Sequence, residues 1–121
     1  MDKIYDYIIY SASLAGVLTA IDLSNKGKHV LLLNFYGFTG GSITESLNCY
    51  QNINEIDLIE SAKKIFDKIK KSKHGILYED KNYFIINPET IKIVLQEELE
   101  NSKVDLLFHV VPFYLTQQYD Y

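Results

Sequence analysis

Apolar residues fall along this chain in two rhythms, short continuous runs and longer stripes at helical spacing. Residues 4–10 (IYDYIIY) are β-branched and aromatic, which suits a strand buried on both faces. From Leu14 to Lys26 the period lengthens, and Ala15, Leu18, Ala20, Ile21 and Leu23 form the apolar face of a helix. Gly27 stands where a left-handed cap ends such a helix. Residues 29–33 (HVLLL) make a second apolar strand, so a strand, a helix and a strand follow one another as in a parallel, right-handed βαβ unit.

Residues 34–54 have little periodicity and hold Gly37, Gly40 and Gly41; they read as a long loop with a helical turn around Ile43–Leu47. Asn54 is placed to cap a helix running to Ser72, with Ile56, Ile59, Ala62, Ile65, Phe66 and Ile69 on one face. The lysines crowding its second half suit the negative end of the helix dipole. Two short strands, 76–78 and 83–86, then read as a hairpin. Asn87-Pro88-Glu89 supplies a cap, a proline at the first helical position and an acid in the first turn of a helix to Ser102. Residues 104–111 (VDLLFHVV) form another apolar strand, interrupted by Pro112. The sum is an α/β domain with a parallel sheet and a small hairpin, one unit over residues 1–121.

Composition narrows the function. Of the residues, 47% are hydrophobic and 23% charged, as in an ordinary soluble globular domain. The net charge is −4 and all 12 basic residues are lysine, so no arginine fork is available for phosphates or base edges; nucleic acid is not an expected partner. Cys49 is the single cysteine, which excludes an intrachain disulfide and reads as an incidental thiol. His29, His74 and His109 are too scattered to suggest a shared metal, and no catalytic triad emerges from residue order. No run has the length of a membrane span and the first residues lack a signal-peptide pattern, so a cytoplasmic location is expected.

Three stretches carry a family resemblance. "YDYIIYSASLAGVLTAIDLSNKGKHVLLLN" has the spacing of a dinucleotide-binding strand–turn–helix–strand fingerprint. "FYGFTGGSITESLN" is similar to the loop that lies along the cofactor pyrophosphate, and "INPETIKIVLQEELENSKVDLLFHV" to the helix and strand that follow. Together they resemble the N-terminal FAD-binding segment of FAD-dependent oxidoreductases. The resemblance implies a three-layer Rossmann-like fold, incomplete relative to the full FAD-binding domain. It also implies that strand 104–111 returns beside the first strand, leaving the first strand in the middle of the sheet.

By that resemblance the cofactor-binding positions are Ser11, Ala12, Ser13, Gly16, Asn34, Gly40, Gly41, Ser42 and Thr44. The fingerprint is degenerate. Ser11 stands where the first glycine makes the tight turn, and Ser13 where a missing Cβ lets the pyrophosphate approach. Gly16 keeps the glycine of helix–strand packing. Asn34 replaces the acid that hydrogen-bonds the ribose and loses the charge-assisted strength of that bond. Weak FAD binding or none is therefore expected, and Ser13→Gly with Asn34→Glu is expected to restore about 2 kcal/mol. Two functions follow: an FAD-dependent oxidoreductase component completed by a partner chain, or a non-enzymatic flavoprotein-derived module for assembly. Either implies a partner polypeptide or a homo-oligomer, with Val110–Leu115 taking part.

Overall fold

The computed structural model describes residues 2–56 and 59–119. The chain opens with β1 (Tyr7–Tyr10), α1 (Leu14–Asn25) and β2 (Val30–Leu33), the expected βαβ unit, with β1 parallel to β2. The stop of α1 is local chemistry. Gly27 adopts φ +81°, Gly27 N–H donates to Ser24 O and Lys28 N–H to Leu23 O. That pair of bonds satisfies the last helical carbonyls.

The region read as a loop holds α2 (Ser42–Glu45) and an unexpected strand, β3 (Tyr50–Asn52). The helix read from Asn54 to Ser72 is two pieces, α3 (Ile53–Ile56) and α4 (Glu60–Lys71); Asp57 and Leu58 lie outside the described residues. Asn54 is not a cap: it sits inside α3, and its N–H donates to Asn52 Oδ1. The hairpin forms as β4 (Ile76–Glu79) and β5 (Tyr83–Ile86), and β3 joins β5 to make a separate antiparallel sheet in the order β3-β5-β4. Next comes α5 (Pro88–Glu100), capped as expected by Asn87, whose Oδ1 accepts from Glu89 N–H.

The last strand, β6 (Asp105–Leu107), pairs with β2, giving the parallel order β1-β2-β6. β2 is central, and the expectation that the first strand lies between the other two is overturned. The reason is geometric. A right-handed crossover whose helices lie on the face already occupied by α1 steps onward across the sheet, and α5 packs against α1. β6 is also shorter than the apolar run, because His109 turns the chain at φ +58°.

The core joins α1 to the parallel sheet through Val17, Ala20, Val30 and Leu32, and α4 to the antiparallel sheet through Phe66 against Phe84. Helices thus lie between the two sheets. The other face of the parallel sheet carries Ile8 and Tyr10 in register with Leu31 and Leu33, followed by Leu107 on β6. Ile8 is 63% exposed, so the first strand is not buried on both faces as its composition suggests. It is an edge strand. Lys3, just before it, pairs with Asp105 and holds that carboxyl below its usual range.

Gly27→Ala should lower stability by about 1 kcal/mol, because open space surrounds the position and only the left-handed backbone opposes a Cβ. A urea denaturation midpoint checks this; an unchanged midpoint would mean that the cap contributes nothing.

Candidate functional site

The turn between β1 and α1 runs from Ser11 to Ser13. Ser11 sits at φ +96°, a region costing a non-glycine residue about 1–2 kcal/mol. The surroundings hold it there: Ser11 N–H donates to Leu33 O at 2.8 Å. Its carbonyl oxygen faces the start of α1 so closely that a Cβ on Gly16 would lie 2.0 Å away. Gly16 is therefore fixed by packing, as its place in the fingerprint implies.

The nine candidate positions lie in the β1–α1 turn and the first turn of α1, at the end of β2, or in the loop that leads into α2 and in α2 itself, and most are tied to one another. Ala12, buried, donates its N–H to Asn34 Oδ1 at 2.9 Å and accepts at its carbonyl from Gly40 N–H at 2.8 Å. Ser13 caps α1, with its Oγ accepting from Gly16 N–H at 3.1 Å. Gly41, at φ +56°, lies against Ser13; a Cβ there would meet Ser13 Cβ at 2.7 Å. Thr44 is buried and donates its hydroxyl to Thr39 O at 2.6 Å, and its methyl group would meet a Cβ on Gly40 at 2.4 Å. Only Ser42, the first residue of α2, presents an exposed side chain.

Asn34 is buried at the end of β2. Besides accepting from Ala12 it donates from Nδ2 to Tyr36 O at 3.2 Å and Phe38 O at 2.8 Å. Its partners fix the amide orientation, since the oxygen faces an N–H and the nitrogen faces two carbonyls.

Residue order gave no sign of two further contributors. Thr39, 1% exposed, donates its hydroxyl to Lys92 O at 3.3 Å and so pins the loop to α5. His109, placed by its sequence inside a strand, instead follows β6 and lays its ring on Gly37, where a Cβ would meet Nε2 at 2.8 Å. A lone threonine in an aperiodic loop carries no pattern, and the His109 contact joins segments far apart in sequence. Burial pushes the pKa of Cys49 up, and its Sγ donates to Ile43 O.

The fit to FAD can be judged from these contacts. A pyrophosphate held at the second fingerprint position needs the space that the Ser13 side chain and the Gly40–Gly41 backbone fill. A ribose bound at residue 34 needs polar atoms that Asn34 spends inside the chain. Among the described residues no buried side-chain nitrogen or oxygen lacks a partner. The cradle does not fit FAD held in the way the fingerprint implies. A cavity of about 570 Å³ lies elsewhere, between α1, α4 and α5, lined by Leu18, Ile21, Asp22, Lys64 and Glu98 among others; none of the nine positions borders it.

The family model for FAD dependent oxidoreductase matches residues 6–120. The chain belongs to this family. A search of curated protein sequences finds no match. Among solved structures the fold is similar to THI4 of Thermovibrio ammonificans, with a TM-score of 0.60, 12% identity, and 86% of this chain covering 38% of that one. It is also similar to p-nitrophenol 4-monooxygenase PnpA of Pseudomonas putida DLL-E4, with a TM-score of 0.63, 13% identity, and 90% of this chain covering 33% of that one. A third is aklavinone-11 hydroxylase, solved with FAD and aklavinone, with a TM-score of 0.60, 12% identity, and 90% of this chain covering 26% of that one. At such identities the likeness shows the fold. The chain spans between 26% and 38% of the length of these three. Among the described residues no helix is long and apolar enough to cross a membrane.

Two substitutions test the cradle in opposite directions. Ser11→Gly should stabilise the protein by about 1 kcal/mol, by relieving the left-handed serine. Ser13→Ala should destabilise it by about 1 kcal/mol, by removing the cap of α1. Thermal melts of both variants read the two signs; like signs would refute the assignment of strain to one serine and capping to the other.

Proposed function

We propose that this member of the FAD dependent oxidoreductase family is a flavoprotein-derived module for assembly, which keeps the cofactor fold and binds FAD weakly or not at all. One observation carries the reading. The hydroxyl of Ser13 already occupies the amide of Gly16 at the start of α1, and the Gly40–Gly41 backbone lies on the same serine. The helix terminus and loop that would receive a pyrophosphate are engaged with each other. With no fit to the cofactor, no redox step is derived for the chain.

The assembly half of the reading rests on the bare sheet face. Ile8, Tyr10 and Leu107 lie exposed on it, and Phe113, Tyr114 and Leu115 extend from the same end of the chain with nearly all their surface open. An uncovered parallel sheet with a free edge strand is a surface suited to being covered by further polypeptide. A partner chain or a second copy meets that requirement.

A second reading, a component of a flavin-dependent oxidoreductase completed by a partner, is favoured by what the cradle keeps. Ser11 holds the fingerprint backbone despite its strain, Ser42 is exposed, and helix geometry leaves the first-turn amides of Leu14 and Ala15 without intrahelical acceptors. In that case a second chain would have to supply the remaining contacts.

The purified chain should show no flavin absorbance in the visible range, and added FAD should leave its melting temperature unchanged. Stoichiometric flavin carried through purification would establish the second reading instead. Sedimentation should give a species larger than one chain; a monomer that stays soluble at high concentration would remove the assembly function.

A further inference from the structure

We propose that Asn34 is a built-in replacement for the ribose it would otherwise bind, an amide clamp that closes the cradle and that a carboxylate cannot replace. The inference rests on the reading of the chain as a cofactor-free member of its family, and it reverses the expectation that an acid at this position restores binding. Residue 34 is 3% exposed. Its backbone N–H donates to Leu107 O and its carbonyl accepts from Val110 N–H, while its side chain reaches Ala12, Tyr36 and Phe38. One residue thus ties together the turn before α1, the loop after β2 and the exit of β6.

The chemistry of the amide decides what can stand there. Asparagine offers two N–H donors and one carbonyl acceptor, and here both donors and the acceptor are used. A carboxylate keeps the acceptor and loses both donors. It would set a buried negative charge against the carbonyl oxygens of Tyr36 and Phe38, where the amide now makes two bonds. The 36–38 loop is built around a donor. A ribose hydroxyl arriving at residue 34 would have to displace bonds inside the chain.

The test uses the whole 121-residue chain with Asn34→Asp, which is isosteric, Asn34→Ala, and the double variant Ser13→Gly with Asn34→Glu. Asn34→Asp should melt roughly 10 °C below the wild type at pH 7, the order expected for two lost hydrogen bonds and a buried charge. The loss should shrink as pH falls. In the folded variant burial and the facing carbonyls raise the Asp pKa above its unfolded value, so the penalty is present at high pH and fades as pH drops through the folded pKa, where the protonated acid donates one bond. Asn34→Ala should show a loss with no such recovery relative to wild type. The double variant should gain no affinity in a fluorescence titration with FAD.

Melting of Asn34→Asp at or above the wild-type temperature, or a tenfold gain in FAD affinity by the double variant, would overturn the clamp. If the variants do not fold, the wild type still decides. The Ala12 amide and the Asn34 carboxamide should exchange with deuterium as slowly as the β1–β2 amides, and fast exchange at either would overturn the proposal. FAD binding to the wild type with Asn34 exchange unchanged would refute the cofactor-free reading and leave the clamp standing. FAD binding that releases the Asn34 amide would refute both.

Discussion

Helix α1 meets the end of β1 at a distance that one methyl group would close. At Gly16 the backbone lies so near the Ser11 carbonyl that a Cβ would be placed 2.0 Å from it, and the rest of the parallel half depends on that contact. It seats Val17 and Ala20 on Val30 and Leu32, and it aims the N-terminus of α1 at the loop carrying Gly40 and Gly41. It also keeps Ser11 in a left-handed conformation that a serine by itself avoids. Of the three positions that the resemblance pairs with the fingerprint glycines, the one set by packing is glycine, while the tight-turn position and the one a pyrophosphate would approach are serine.

The same turn shows how much of the polar bonding in this region is met from within the chain. A helix N-terminus presents unsatisfied amides, and a cradle made for a dinucleotide leaves polar groups that water or ligand must satisfy. Here Ser13, Asn34 and Thr44 meet part of those needs from within the chain. Serine and asparagine are short polar side chains suited to bonding with nearby backbone. Ser13 and Asn34 thus stabilise the fold through bonds within the chain, while Ser11 carries backbone strain.

The uncovered sheet face is the other feature that sets this chain apart from a closed domain. Helices lie on one side of β1-β2-β6, and both helical crossovers use that side, so Ile8, Tyr10 and Leu107 are left facing outward. Apolar side chains in register on adjacent strands make a continuous surface.

Much of the architecture was legible in the residues. The ends of α1 and the start of α5 could be placed because Gly27 and Asn87-Pro88 act through bonds to residues a few positions away, and the apolar runs gave β2 and the hairpin directly. The cap at Ser13 is equally local, a serine directly before a helical stripe. The nine fingerprint positions do gather in one region, since their spacing fixes the turn and its loop. Other features depended on tertiary structure. β3 is three residues long and exists only because β5 pairs with it. The place of β6 follows from which face of the sheet the later helices occupy, a choice that periodicity does not encode. The role of Asn34 belongs to the same class. The sequence determined that an amide stands at the end of β2, but only the fold brings Ala12, Tyr36 and Phe38 within reach of it, because hydrogen bonds form between groups that the folded chain places within about 3 Å of one another.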